Sequence, residues 1–165
     1  MARFFTMKFQ DYIIDAIQKA TDEAFRYARA VPADKLDWKP LDAGRSVLDQ
    51  IQEVAQAPDY VTGMLGGTPV SESPGEENWE KLVAERRAWT TLDACEAEGK
   101  KRLDGLFEAI RNTPDEKLSQ TQWLPYDGGR DFTLAEIMEY PRWNANYHAG
   151  CIAYIQLLYG DKEMH

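Results

Sequence analysis

Asn144 and His148 are the two polar side chains with good donor atoms on the apolar face of a long helical pattern near the C-terminus. The pattern covers residues 132–161, and its apolar positions recur at spacings of three and four. Because Asn144 and His148 are an i, i+4 pair, their side chains stack along one line of the helix and can share a ligand. A lone histidine on an apolar face is more often a core residue with one hydrogen bond, so the spacing favours the core interpretation and leaves a binding site as the alternative.

A catalytic thiol is a second kind of chemistry that this helix offers. Cys151 follows His148 by three residues, on the same side of the helix. The thiolate is the nucleophilic form of cysteine, and a neighbouring imidazole can favour it. Small buried cysteines are usually packing residues, so we favour packing for Cys151. Cys95 shows no motif spacing with Cys151, and both are predicted to be free thiols.

The helix that carries these residues has marked ends. Thr133 and Glu136 form a T-x-x-E capping box at its start, and Gly160 is typical of the residue that follows a helix. Pro141 lies inside the pattern. It removes one backbone hydrogen bond and clashes with the carbonyl of Ile137, so the sequence predicts a kink there.

Two amphipathic patterns open the chain. The first covers about residues 7–30. The second begins at Ser46, which forms an S-x-x-D start signal with Asp49, and Pro58 inside it predicts a kink or an early end. Glu53 lies on this second helix at ~120° from the centre of the apolar stripe, which predicts a solvated position on its flank.

A third amphipathic pattern follows a long loop at residues 66–75. It covers about residues 76–112, where Gly99 and Gly105 allow a break. Its charged residues, Arg86 among them, are predicted to form a solvated face. An Asp-Gly-Gly turn within residues 123–131 then favours a small hairpin before the last helix.

These patterns predict an all-α protein. The expected architecture is a four-helix bundle with a long crossover between helices two and three, in a single domain over residues 1–165. The chain of 165 residues is 44% hydrophobic, which suits one domain with a sizeable core. Bundles assemble their sites from side chains of facing helices near the axis.

The charge of the chain restricts its partners. The formal net charge is -9, which argues against nucleic acid and against anionic lipid surfaces, since both need a basic footprint. No apolar run approaches the ~20 residues that span a bilayer. The opening MARFFTMKFQ is too short and too soon followed by Asp11 for a secretory signal, so we expect a cytoplasmic protein without a membrane association.

Two segments of the chain resemble the DinB-like (DinB/YfiT) family of small bacterial four-helix bundles. They are GRSVLDQIQEVAQA in helix two and FTLAEIMEYPRWNANYHAGCIAYIQLLYGD in helix four. The ending NYHAG followed by IAYIQLLYGD is fairly specific, and the likeness extends in outline over nearly the whole chain, including the loop PADKLDWKP. The resemblance implies the bundle fold and frequent homodimers. In several members it implies transferase or isomerase activity with low-molecular-weight thiols.

The resemblance also implies a divalent metal site that is degenerate in this chain. Members typically use three histidines, one on helix two and two on helix four in an H-x-x-x-H arrangement. The matching positions are Glu53, Asn144 and His148, and the other histidine, His165, is the last residue. Glu53, Asn144 and His148 are therefore candidate ligands for zinc, nickel or manganese. The same three residues can instead form a hydrogen-bonded cluster without a metal, an alternative we favour but leave open.

Three functions agree with these features. The first is a DinB-like metal-dependent transferase or hydrolase that acts on a small molecule. The second is a metal-free bundle that binds a small apolar or aromatic ligand. The third is a structural or stress-response protein that forms a homodimer. For the second function, the aromatic residues expected to line the pocket are Trp38, Trp123, Tyr140, Trp143 and Tyr147. Aromatic residues on helices are more often part of the core than of a pocket.

Overall fold

The structure is a computed structural model that describes residues 7–68 and 76–165. Residues 69–75 of the loop predicted at 66–75, and residues 1–6 at the N-terminus, lie outside the described residues. The helices and strands in the described ranges are α1 (Phe9–Arg29), α2 (Val47–Leu65), α3 (Glu76–Arg87), α4 (Leu92–Arg111), β1 (Thr121–Leu124), β2 (Arg130–Thr133) and α5 (Leu134–Leu158).

The four long helices form a bundle, as the sequence predicts. Helix α1 packs against α5 and α4, and α2 packs against α4 and α5. The shorter α3 lies in the crossover between α2 and α4 and contacts α2. None of the helices in the described ranges is both long and apolar enough to cross a bilayer.

The predicted third helix is two helices in the structure. The break falls at Ala88–Thr91, where the Thr91 hydroxyl caps α4 by accepting a hydrogen bond from the backbone N–H of Ala94 at 3.1 Å. The break does not fall at Gly99 or Gly105, where the sequence allows one, because both glycines lie inside α4. The Thr-x-x-Ala spacing lacks the acidic third residue of a capping box, and the sequence reading therefore missed this start signal.

The two helices that carry the candidate ligands begin where their start signals predict. The Ser46 hydroxyl accepts a hydrogen bond from the backbone N–H of Asp49 at 3.2 Å and caps α2. Thr133 and Glu136 form the complete capping box of α5. These caps fix the residue at which each helix begins. The start of a helix in turn sets the position of every later side chain around the axis of α2 or α5.

Both internal prolines are accommodated within continuous helices. Helix α2 passes through Pro58 and ends at Leu65, so the predicted early end at Pro58 is wrong. Helix α5 passes through Pro141, and Gly160 follows its end with a φ of 98°. The kink at Pro141 stays a prediction.

A two-stranded antiparallel hairpin precedes α5. Its strands pair from Thr121 with Thr133 to Leu124 with Arg130, and its turn contains Asp127, Gly128 and Gly129, all with positive φ. The Asp-Gly-Gly turn is therefore confirmed. The hairpin contacts α5 at its start, which positions the side chains of β1 and β2 beside the first turns of that helix.

The glycines of α4 provide a test of how closely α2 and α4 pack. A Cβ atom at Gly99 would lie 3.3 Å from Ala55 on α2, whereas a Cβ atom at Gly105 would meet no atom within 4 Å. We expect Gly99→Leu to lower the free energy of unfolding by about 1–3 kcal/mol through overpacking. Gly105→Leu is the matched control and should raise it by about 0.5–1 kcal/mol through helix propensity. Urea denaturation measures both, and equal effects would contradict the close packing.

Candidate functional site

Glu53 lies at the centre of a polar cluster between α2, α3 and α5. Its Oε1 accepts a hydrogen bond from His148 Nε2 at 3.1 Å, and Asn144 Nδ2 lies 3.4 Å from the same oxygen. Only 24% of the Glu53 side chain is exposed. The prediction of a solvated flank for Glu53 is wrong, because α3 and α5 cover the side of α2 on which it lies.

Two arginines bind the other oxygen of Glu53. Arg45 Nη2 lies 2.8 Å from Oε2, and Arg86 Nη1 lies 3.1 Å from the same atom. Arg45 also pairs with Asp49 one turn before Glu53 at 2.5 Å, and Arg86 approaches Asp49 at 3.9 Å. The cluster therefore contains two carboxylates and two guanidinium groups, whose formal charges cancel, together with the imidazole of His148.

His148 is enclosed within the bundle, with 1% of its surface exposed. Its Nε2 contacts Glu53, and its Nδ1 contacts the side-chain amide of Gln50 one turn earlier on α2. Because both ring nitrogens have partners on α2, neither is left to activate Cys151.

Burial raises the pKa of the Cys95 thiol to about 11, so Cys95 is in the protonated, unreactive form at neutral pH.

Glu53 is held in its charged form. Burial alone would raise its pKa, but the hydrogen bond from His148 and the electrostatic interactions with Arg45, His148 and Arg86 outweigh burial and lower the pKa to about 2. A carboxylate with so low a pKa is a poor general base near pH 7. The arrangement suits a structural or binding role for Glu53 better than proton transfer.

The residues at the implied metal positions do not fit a divalent ion in this arrangement. Both Glu53 oxygens already contact cations or N–H groups, and an ion bound there at about 2 Å would lie close to two guanidinium charges. Asn144 contacts Glu53 through Nδ2 at 3.4 Å, while its Oδ1, the atom that ligates metals, is buried without a hydrogen-bond partner among the described residues. In residues 7–68 and 76–165, no three His, Cys, Asp or Glu side chains are grouped to hold a metal ion.

A continuous row of aromatic rings leads from the hairpin to His148. The successive pairs have ring centroids between 5.6 and 6.5 Å apart, and the two pairs Tyr140–Trp143 and Trp143–Tyr147 are stacked with interplanar angles of 29° and 17°. The Tyr147 ring then meets the imidazole of His148 edge-on at 5.2 Å. We call this set the aromatic row, and its members in order are Tyr126, Tyr60, Tyr140, Trp143 and Tyr147.

The first part of the aromatic row lines a groove of about 660 Å³ between α2, the hairpin and the first half of α5. Met64, Leu124, Phe132 and Ile137 complete its apolar wall. The tyrosine hydroxyls in the groove are neutral at physiological pH, because burial raises the pKa of Tyr140 to about 12 and also raises that of Tyr60. A volume of several hundred Å³ is in the range of small-molecule sites.

The sequence-predicted aromatic residues occupy different places. Tyr140 and Trp143 line the groove, and Tyr147 adjoins it through its stack on Trp143. Trp38 does not line this groove; its ring packs against Tyr159 at the other end of α5. Trp123 lies on β1, where its ring is close to the backbone of Gly129, and it does not line the groove either.

Sequence reasoning missed three polar residues of the cluster, Gln50, Arg45 and Arg86. Gln50 lies three residues before Glu53, so a search for polar residues at helical spacing on α2 would have found it. Arg45 adjoins the cap of α2 and has no such signal. Arg86 was assigned to a solvated face, but only 7% of its side chain is exposed, because Arg86 lies on the side of α3 that packs against α2.

The sequence matches no protein-family profile and no curated protein. The fold, however, is similar to that of several solved structures. One is YfiT from Bacillus subtilis, described as a probable metal-dependent hydrolase with an unusual four-helix bundle topology. The TM-score is 0.72 and the identity 14%, over 97% of this chain and 93% of that chain.

Two further structures of this fold are described as proteins with functions other than that of a hydrolase. A mycothiol-dependent maleylpyruvate isomerase matches with a TM-score of 0.66 and 15% identity over 88% of this chain, which spans 62% of the length of the isomerase. The colibactin self-resistance protein ClbS, solved in complex with double-stranded DNA, matches with a TM-score of 0.68 and 13% identity over 90% of this chain and 95% of that chain.

These likenesses confirm the DinB/YfiT fold that the sequence resemblance predicts. At such low identities they establish the fold alone, and the activities of these proteins do not follow for this chain. The ClbS complex is in tension with our exclusion of nucleic acid from the net charge of -9.

Removal of the Glu53 charge tests whether the cluster stabilises the fold. The pKa of about 2 is below the ordinary value of 4.5, so this stabilisation is present above about pH 4.5 and is lost as the pH falls toward 2. We expect Glu53→Gln to lower the free energy of unfolding at pH 7 by on the order of 2–3 kcal/mol. The difference from wild type should shrink between pH 4.5 and pH 3, as measured by urea denaturation.

Glu23→Gln is the control, because Glu23 forms an exposed pair with Arg26 at 3.4 Å. Such surface pairs contribute little, so this variant should remain close to wild type at every pH. A Glu53→Gln variant with wild-type stability at pH 7 would contradict a stabilising cluster.

Proposed function

We propose that this protein, which has the DinB/YfiT fold, binds a small planar aromatic molecule in the groove beside the aromatic row. The observation that carries the proposal is the exposure of stacked rings next to an apolar groove. Trp143 is 60% exposed and Tyr147 is 55% exposed, although both belong to the row that leads into the groove. Large aromatic side chains in this position are typical of ligand sites.

The geometry of the row suits a flat ligand. Trp143 presents a large ring at the edge of the groove, stacked between Tyr140 and Tyr147. A planar molecule that enters the groove can extend this stack, and aromatic pairs contribute about 0.5–1.5 kcal/mol beyond the area they bury. The hydroxyls of Tyr60 and Tyr126, which hydrogen-bond to each other at 3.0 Å, provide polar atoms on the opposite wall.

The charge at the rim limits the ligand further. Three carboxylates, Asp127, Glu136 and Glu139, line the groove, and two arginines lie at its edge. Arg142 pairs with Glu139 at 3.6 Å. Two of these carboxylates are partly neutralised by Arg130, which pairs with Asp127 at 3.6 Å and with Glu136 at 3.1 Å. The remaining potential is negative, so the site favours an uncharged or positively charged aromatic over an anionic one.

A metal-dependent transferase or hydrolase is less well supported by the site. That function would use Glu53, Asn144 and His148 as ligands, whereas the Glu53 carboxylate is occupied by Arg45 and Arg86. The description of YfiT as a probable metal-dependent hydrolase therefore does not carry over to these residues. We infer a binding function that needs no metal.

Binding of a neutral dye tests the aromatic site. N-phenylnaphthylamine contains a flat naphthalene ring, is uncharged and fluoresces in apolar surroundings. We expect saturable binding that Trp143→Ala weakens by about 10-fold, since one lost stacking contact is worth about 1.4 kcal/mol. Fluorescence titration measures the Kd.

Two controls make this measurement specific. Tyr154→Ala removes an aromatic side chain that is 63% exposed on the same helix but lies outside the aromatic row, and it should leave the Kd unchanged. Anilinonaphthalene sulfonate has the same ring system with an added negative charge and should bind more weakly. Equal Kd values for the two alanine variants would show that the dye binds elsewhere.

A homodimer is a second candidate, favoured by the outer face of α5. Residues 143–158 contain no Asp, Glu, Lys or Arg, although the chain has a net charge of -9. Tyr154, Leu157 and Leu158 are exposed on this face beyond Trp143 and Tyr147. A second copy can approach here with less repulsion than elsewhere, and an antiparallel pair of α5 helices would bring the same face of each copy together.

Self-association through α5 is testable by sedimentation equilibrium. We expect a wild-type dimer that Tyr154→Glu weakens by about 10-fold or more, because two like charges would meet at the two-fold axis. Tyr12→Glu, a change at an exposed tyrosine on α1, is the control and should leave the mass unchanged. A wild-type monomer at all concentrations would exclude this interface.

A further inference from the structure

The position of Arg86 within the polar cluster requires an explanation. The fold is shared with a protein described as a probable metal-dependent hydrolase, yet the positions that the resemblance assigns to metal ligands contain Glu53, Asn144 and His148 around two guanidinium groups. Arg86 is 7% exposed, so its charge has been removed from water, and its compensation must come from the cluster.

We propose that Arg86, together with Arg45, occupies the place of a divalent ion in this bundle. Each guanidinium carries one positive charge, so the pair supplies the two charges that a divalent ion would bring to Glu53. Both bind the same carboxylate oxygen, at 3.1 and 2.8 Å. The other oxygen receives the N–H of His148, the one histidine retained at the implied metal positions.

The replacement depends on α3, the short helix in the crossover between α2 and α4. Gln52 Nε2 on α2 donates to the backbone carbonyl of Trp89 at 2.9 Å, and Gln56 Nε2 donates to that of Leu82 at 2.9 Å. These two bonds hold both ends of the segment that carries Arg86 against α2. The Arg86 guanidinium also lies 5.7 Å from the centroid of the Trp79 ring on the same helix.

The donor atoms agree with an arginine rather than with a metal. Glu53 and Asp49 offer oxygens that guanidinium groups bind well, and Asn144 turns its N–H group toward Glu53. A metal ion would require the Asn144 oxygen and an unprotonated His148 Nε2 instead. With both arginines in place, an added divalent ion would meet two positive charges within a few ångströms.

Removal of Arg86 should convert the cluster into a weak divalent-cation site. We expect untagged wild-type protein to contain no stoichiometric metal by mass spectrometry, and its Tm to respond to neither EDTA nor ZnCl2. Arg86→Gln should lower the Tm by about 5–10 °C, because it leaves Glu53 partly uncompensated. Addition of about 100 µM ZnCl2 should then recover about half of that loss by linkage.

Arg102→Gln is a closely matched control. Arg102 is also 9% exposed, pairs with Asp59 at 2.7 Å and Glu85 at 2.6 Å, and lies 4.5 Å from the ring centroid of Trp89. Arg102 also pairs with Glu98, so its variant leaves three carboxylates but no imidazole. It should lose stability and recover less of that loss with ZnCl2 than Arg86→Gln does, because zinc prefers a site that includes an imidazole. In Arg86→Gln combined with His148→Ala, the recovery should also disappear, which assigns the ion to this cluster rather than to His165.

Two results would overturn the proposal. One is a wild-type protein that retains about one equivalent of metal after dialysis, or whose Tm falls in EDTA. The other is a folded Arg86→Gln variant that ZnCl2 does not stabilise more than it stabilises Arg102→Gln. If Arg86→Gln does not fold, the same comparison is made with Arg45→Gln, since Arg45 is more exposed and its loss is less severe. The aromatic-ligand proposal does not depend on either result.

Discussion

A carboxylate that is three-quarters buried between helices is the constraint on which this structure depends. Glu53 must be compensated, because an isolated charge in the bundle would be strongly unfavourable. The compensation comes from four directions: Arg45 before α2, Arg86 on α3, and Asn144 and His148 on α5. One side chain therefore links α2, α3 and α5, and the packing of all three helices has to satisfy it.

The same constraint fixes the rotation of α5. Asn144 and His148 must point toward α2, and successive residues of a helix are ~100° apart. The residues immediately before them, Trp143 and Tyr147, are therefore turned to the edge of the buried face, where they stack on each other and remain half exposed. The aromatic row and the polar cluster are two consequences of one helix orientation.

The sequence could predict what each helix encodes by itself. The caps at Ser46 and Thr133, the Asp-Gly-Gly turn and the bundle were all predicted correctly, because short-range hydrogen bonds and apolar periodicity determine them. Glu53 was assigned to the solvent because periodicity measures a position against its own helix only. The bundle places α5 and α3 on the flank that α2 leaves polar, and this information lies in other segments of the chain.

Arg86 also shows that the pattern of one helix does not reveal which of its residues another helix buries. Its neighbours along α3 are mostly charged, so the pattern predicts a solvated helix, and most of that helix is indeed exposed. A single arginine nevertheless turns inward, because a buried carboxylate on α2 needs it. The family resemblance located the polar cluster by the positions of Glu53, Asn144 and His148. It also implied a metal ion, whereas the Glu53 carboxylate already pairs with two arginines. The guanidinium groups of Arg45 and Arg86 already neutralise the Glu53 carboxylate, and this charge balance is the physical basis for proposing that the bundle keeps its polar centre without a metal ion.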